Sequence, residues 1–265
     1  MRPRLTLSAA AGCALILLCA ALAQAAIRTE AVAYHDGDTA LEGFLAYDDA
    51  SVTQRPGVLV VHEWKGLNAH AKTRAKRLAE LGYIAFAIDM YGQGVVAKDH
   101  AEAAQLSGAF RNDRAFMRQR ARAGLDVLRH HPLTNPERVA AIGYCFGGTT
   151  VLELARSGET LRGVVVLHGP LDTPHPEDAQ HIQGRVLVLL GADDPHIPFE
   201  QVTAFKQEMD RASIDYQLIQ YPGAVHSFTV YEVGDDPSTG VAYNAKADHA
   251  SWEAMRAFLS EVLVR

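Results

Sequence analysis

The chain has 265 residues, 48% of them hydrophobic and 21% charged, enough apolar material for one sizeable core. Three cysteines, 21 glycines and 11 prolines exclude a disulfide scaffold, a collagen-like repeat and a disordered chain. The net charge of −6 argues against nucleic acid as a partner, because a duplex binder clusters Lys and Arg to displace counterions from phosphate.

Residues 1–25 read as an export signal. Arg2 and Arg4 make a positive start, Leu5 to Leu22 is almost wholly apolar or small, and Ala23-Gln24-Ala25 supplies an A-x-A cleavage site. The apolar run is also about long enough to span a bilayer, which takes roughly 20 residues, so a retained anchor is the alternative. Cleavage after Ala25 removes two arginines and no acid, moves the net charge from −6 to −8, and leaves Cys145 as the one cysteine. The expected location is then the periplasm or the exterior, with no membrane span in the mature chain. One thiol cannot close an internal disulfide there, so Cys145 is a packing residue, an intermolecular partner or a chemical group.

Past the signal, apolar runs alternate with helical patterns. Thr39 to Tyr47 alternates at period two, as a half-buried strand does, and Gly57 to His62 is a short continuous run that suits a strand covered on both faces. Asn68 can cap a helix running to Leu81, with Gly82 placed to end it, and Ile84 to Ile88 is a further buried strand. A helical pattern from Arg111 to His130 stops before Pro132. Strands are then expected at Arg138–Gly143, Gly163–Leu167, Arg185–Leu190 and Asp215–Tyr221, and helices at Gly147–Arg156, Phe199–Ala212 and Ala247–Val264.

Strands separated by helices imply parallel pairing through right-handed crossovers. The fold class is therefore α/β: an open, mostly parallel sheet with helices on both faces, in three layers. With no linker, repeat or low-complexity tract, residues 26–265 form a single domain, with a monomer favoured. In such sheets reactive groups gather at the carboxyl ends of the strands. That rule marks the loops after His62, Asp89, Gly143 and Leu190, and the loop holding His226.

Gly143-Tyr144-Cys145-Phe146-Gly147-Gly148 is the strongest signal. It places G-x-nucleophile-x-G between a strand and a helix, with Cys where Ser is commoner. Small neighbours let strand and helix approach closely around a residue in an unfavourable backbone conformation. The helix amino end then favours a thiolate. A thiol nucleophile in acyl transfer needs a base and an acid to orient it, in the chain order nucleophile, acid, histidine. Asp194 is the chosen acid, with Asp193 as its nearest rival, and His226 is the base. The backbone N–H groups of Phe146 and Trp64 are the expected oxyanion donors. Glu63 ends a strand and has surface partners available in Lys65 or Arg74.

No cofactor or metal is expected. G-x-G-x-x-G and Gly-Lys-Ser/Thr are absent, and none of the 12 histidines lies in H-E-x-x-H or another tight ligand spacing. A non-catalytic ligand-binding or envelope interaction protein is the alternative on such a scaffold.

With these residues assembled, the sequence resembles the dienelactone hydrolase family of the α/β-hydrolase fold. The likeness runs from about Ala31 to Leu263. It rests on His62-Glu63-Trp64-x-Gly66-Leu67-Asn68, Asp89-Met90-Tyr91-Gly92, the Cys145 turn, Gly191-Ala192-Asp193-Asp194 and Val225-His226-Ser227-Phe228. The resemblance implies a Cys145-Asp194-His226 triad and a glutamate, Glu63, that contacts the resting nucleophile and helps to switch it on. It implies a small-molecule ester or lactone as substrate, with Tyr91, Gln93 and Phe228 at the pocket. Arginines that receive a substrate carboxylate in this family correspond here to Gln93 and Val230, which cannot make a charge-assisted pair. Arg111 or Arg114 is left as the cation within reach along the sequence, and a neutral ester or lactone is at least as well suited.

Overall fold

Runs of β-branched and other apolar residues form the middle of an eight-stranded sheet in the computed structural model, which describes residues 26–264. Residues 1–25, expected to be an export signal, lie outside the described residues. The strands are β1 (Ile27–Asp36), β2 (Thr39–Asp48), β3 (Arg55–Val61), β4 (Ile84–Ile88), β5 (Thr134–Tyr144), β6 (Gly163–Leu167), β7 (Arg185–Gly191) and β8 (Tyr216–Tyr221). Their order across the sheet is β1-β2-β4-β3-β5-β6-β7-β8. The β1–β2 and β2–β4 pairs are antiparallel, and every later pair is parallel. The helices are α1 (Ala69–Glu80), α2 (His100–Asn112), α3 (Arg114–His130), α4 (Phe146–Arg156), α5 (Phe199–Arg211) and α6 (Ala245–Val264).

Alternation along the strands feeds two cores. Leu59, Val61, Phe86, Ile88, Val164 and Val166 face α3, α4 and α5, where Leu125, Leu152 and Phe205 are buried. Val58, Val60, Ala85, Ala87, Val165 and Leu167 face α1 and α6, meeting Ala75, Leu78, Met255 and Leu259. Covering both faces is what allows β3, β4 and β6 to be continuously apolar. The result is the three-layered α/β arrangement.

Local signals set the element ends. The Asn68 side chain accepts hydrogen bonds from the His70 and Ala71 N–H groups and starts α1. The helical pattern expected from Arg111 to His130 is instead two helices. Asp113 is extended at φ −132°, closes α2 and caps α3 by accepting from the Phe116 N–H. Strand β1, whose residues are mostly half-buried or exposed, carries little apolar signal and is held in register by its hairpin partner β2.

The strand order reverses around β3. From β3 the chain steps to β4 on one side, and β5 then pairs with β3 on the other. The carboxyl ends of β3 and β5 therefore flank the switch point, where ligands enter open α/β sheets. Among the described residues, no helix is long and apolar enough to cross a membrane.

Candidate active site

Cys145 stands at the junction of β5 and α4 with φ 51° and ψ −115°, a positive-φ conformation that a non-glycine residue seldom adopts. The glycines around it let the backbone pack. A Cβ on Gly147 would lie 2.6 Å from the His62 carbonyl oxygen and closer still to that of Val61, so α4 rests directly on the end of β3. The Cys145 carbonyl accepts from the Gly148 and Thr149 N–H groups, so the first turn of α4 is anchored on the residue that bears the thiol.

His226 comes from the loop between β8 and α6. Its N–H donates to the Gly240 carbonyl and its C=O accepts from the Ala242 N–H, which fixes the loop on both sides of the ring. Nε2 lies 3.0 Å from Cys145 Sγ, and Nδ1 lies 2.8 Å from Asp194 Oδ2. Asp194 follows β7 and also accepts the His196 N–H on Oδ1. Asp193, the rival acid, turns away and accepts the Gly223 N–H at an exposed position. Burial opposes a charged imidazole at His226, but the Cys145 sulfur and the Asp194 carboxylate outweigh it and push its pKa up to about 10.

Glu63 is buried beside this line of groups. Oε1 accepts a hydrogen bond from Ser227 Oγ at 3.1 Å and lies 3.9 Å from His168 Nδ1; no hydrogen bond joins it to Cys145. Ser227, the neighbour of His226, holds the carboxyl. Burial raises the Glu63 pKa against the opposing pull of His226. The alternative surface partner Arg74 is itself engaged, donating to the Thr229 carbonyl and to Asp248.

The Trp64 and Phe146 N–H groups donate to no backbone acceptor among the described residues. Tyr91 is half-buried, donates its hydroxyl to the Trp64 carbonyl at 2.8 Å, and packs against His62 and Phe146. Two expected pocket residues are placed elsewhere. Phe228 is fully buried in a small core with Ala224 and Ala247, edge-on to Tyr221 and His168. Ser227 has φ 55°, and the turn at this residue carries the following side chain inward. Gln93 is exposed and donates to Glu42 on β2, because Gly92 at φ 132° swings the chain toward that strand.

Neither position corresponding to the family's arginines offers a cation near the sulfur. Val230 is buried, and Arg114 is tied to Asp172. Arg111 is exposed on a surface groove of about 1250 Å³ that also holds Arg114, Arg118 and Asp178.

His168 was not singled out from the sequence. It follows β6 directly at φ 40°, is fully buried, and pairs through Nε2 with Thr229 Oγ1 at 2.8 Å. Its ring lies edge-on to His226 with centroids 5.5 Å apart, and burial together with the positive charge of His226 keeps its pKa well below that of a free imidazole. The strand-end rule would have found it, since Leu167 closes a buried run. Among the described residues no group of His, Cys, Asp or Glu is arranged to hold a metal ion.

Known proteins share this arrangement of elements. The chain is 43% identical to a crystal structure described as a dienelactone hydrolase-like promiscuous phosphotriesterase from metagenomic libraries, with a TM-score of 0.85 over 89% of this chain and 99% of that one. A Synechocystis sp. protein provisionally named as a carboxymethylenebutenolidase is 25% identical over 87% of this chain and 95% of its own length. A Bradyrhizobium sp. protein provisionally named as a 2-oxo-3-(5-oxofuran-2-ylidene)propanoate lactonase is 27% identical over 77% of this chain and 86% of its own. Residues 41–263 match the profile of the dienelactone hydrolase family, and the chain belongs to that family of α/β-fold hydrolases.

Proposed function

We propose that the protein hydrolyses a carboxylic ester or lactone through a thioester on Cys145. The observation that carries this reading is a single imidazole within hydrogen-bonding distance of both a sulfur and a buried carboxylate, 3.0 Å and 2.8 Å away. A histidine placed so can hold the thiol proton while Asp194 stabilises the resulting imidazolium.

In the first half-reaction the Cys145 sulfur attacks the acyl carbon. The carbonyl oxygen takes the charge and is met by the Phe146 and Trp64 N–H groups. The C–O bond breaks as His226 Nε2 gives its proton to the leaving oxygen. In a lactone that oxygen stays tethered to the acyl group. In the second half-reaction a water attacks the thioester, His226 takes its proton, and the sulfur leaves to yield the acid. Backbone donors held in place before the reaction lower the barrier by roughly 3 kcal/mol each.

A neutral substrate fits best, because the chain has Gln93 and Val230 at the positions that correspond to the family's carboxylate-binding arginines, and Arg114 is tied to Asp172. The relative described as a phosphotriesterase supports a second reading, with the same sulfur attacking phosphorus and an aryloxide leaving. Export through residues 1–25 belongs to the same proposal, and processing of that segment is read by the amino terminus of the secreted protein.

The test is a panel of neutral and acidic aryl esters, lactones, thioesters and aryl phosphotriesters, run beside Cys145→Ala. Turnover of neutral esters or lactones that vanishes in a folded Cys145→Ala variant is the expected result. Full esterase activity in that variant removes the nucleophile assignment. Saturable binding without turnover across the panel would instead make this a ligand-binding protein.

A further inference from the structure

The proposed oxyanion donor at Trp64 sits on a peptide group, and a planar trans peptide points its N–H opposite to its C=O. Whatever fixes the Glu63 carbonyl therefore fixes the Trp64 N–H. Two donors converge on that carbonyl: His62 Nδ1 at 2.5 Å and the Gly66 N–H at 3.2 Å. Gly66 reaches back because it adopts φ 104°, and a Cβ there would lie 2.8 Å from the Val95 carbonyl oxygen. The next carbonyl, that of Trp64, is held by the Tyr91 hydroxyl.

His62 is fully buried, and its tautomer follows from its partners. A carbonyl oxygen can only accept, so Nδ1 carries the proton. Nε2 is approached at 3.3 Å by the Met90 N–H, which can only donate, so Nε2 is bare. One neutral tautomer satisfies both ends; the charged ring would set two N–H groups against each other. Tyr91 packs on the ring edge and Phe146 stacks 6.1 Å from it, which leaves the imidazole one orientation. Burial further disfavours the charged form.

From this geometry, and resting on the thioester reading above, we propose that His62 is a positioning residue that locks the Glu63–Trp64 peptide with its N–H toward the oxyanion. Without the Nδ1 donor, that peptide keeps one hydrogen bond on its carbonyl and is free to rotate. His62 touches neither substrate nor sulfur in this role.

The experiment separates nucleophile from oxyanion hole. Alkylation of Cys145 by iodoacetamide needs the sulfur alone, whereas acylation by p-nitrophenyl acetate and binding of an aryl trifluoromethyl ketone need the hole. His62→Leu should slow acylation and weaken the ketone by about 10²-fold, the size of one lost donor, with alkylation and KM little changed. His62→Asn, which keeps an N–H donor at the δ position, should recover most of the loss.

Equal losses in alkylation and acylation, or no loss in either, would overturn the proposal while leaving the thioester reading intact. A wild-type enzyme that is never acylated would overturn both. Should His62→Leu fail to fold, nitrogen-15 spectra of the wild-type histidines decide instead. A single proton on Nδ1 of His62 is expected, and a proton on Nε2 refutes the assignment.

Discussion

Replacing Gly147 by alanine adds one methyl group at the point where helix α4 meets strand β3. That methyl would lie 2.6 Å from the His62 carbonyl oxygen and 2.7 Å from the Val61 carbonyl carbon, where ordinary contacts begin near 3.4 Å. Both obstacles are backbone, so no side chain can rotate away, and the helix must lift from the strand by roughly 1 Å to restore normal separation. Overpacking of this kind costs about 1–3 kcal/mol of stability. The larger effect falls on catalysis. The helix carries Cys145 and the Phe146 N–H, while the strand leads into Trp64, so lifting one from the other separates the two proposed oxyanion donors. A misplacement of about 1 Å costs on the order of 10²-fold in rate. Gly108, within α2, is the internal control, because a Cβ there meets nothing within 4 Å. Gly108→Ala should raise stability by about 0.5–1 kcal/mol and leave turnover unchanged. The assay is kcat/KM on a neutral aryl ester, with urea unfolding of both variants. A Gly147→Ala enzyme with wild-type kcat/KM would refute the close-packed turn as the element that sets the site.

Three further outcomes follow from the charges. The elevated His226 pKa predicts an alkaline limb: as pH rises through about 10 the imidazolium that protonates the leaving oxygen is lost, so kcat/KM on a neutral ester should fall there. Asp194→Asn removes a carboxylate that supports the charged ring, and its limb should move to lower pH by about one unit or more in the same profile. Away from the site, fully buried Arg156 donates to both carboxylate oxygens of Glu208, to Glu153 and to the Leu171 carbonyl. Arg156→Met strands the Glu208 charge and should cost about 3–5 kcal/mol in urea unfolding, with Arg156→Met/Glu208→Gln losing clearly less.

The parts of this molecule that were legible in sequence are those whose signal is local. Val58 to Val61 and Ile84 to Ile88 are continuous apolar runs because both faces are covered, and the Gly143 to Gly148 turn announces its own geometry. Asp113 was harder to read. The helical period runs on from α2 into α3, and only a side chain accepting the Phe116 N–H marks the break. Phe228 and Gln93 misled for a common reason. Each lies next to a residue at positive φ, Ser227 and Gly92, so proximity in sequence to His226 or Tyr91 did not predict which way the side chain faces. Glu63, His62 and His168 depend on partners from distant segments, and no spacing rule encodes a carboxyl shared with Ser227 or an imidazole paired with Thr229.

Those partners also explain how one imidazole among several is suited to the proposed role of acid and base. His62, His168 and His226 are all buried, and burial alone would keep each of them neutral. The Glu63 carbonyl and the Met90 N–H, neutral groups both, flank His62. The Thr229 hydroxyl meets His168, and the nearby His226 charge opposes a second one. In both rings the burial effect prevails, and the pKa falls. His226 alone has an acid at one nitrogen and a sulfur at the other, and there the same burial strengthens the attraction between opposite charges. The ring that touches the Cys145 sulfur can therefore carry a proton at neutral pH, while His62 and His168 serve as fixed hydrogen-bonding struts.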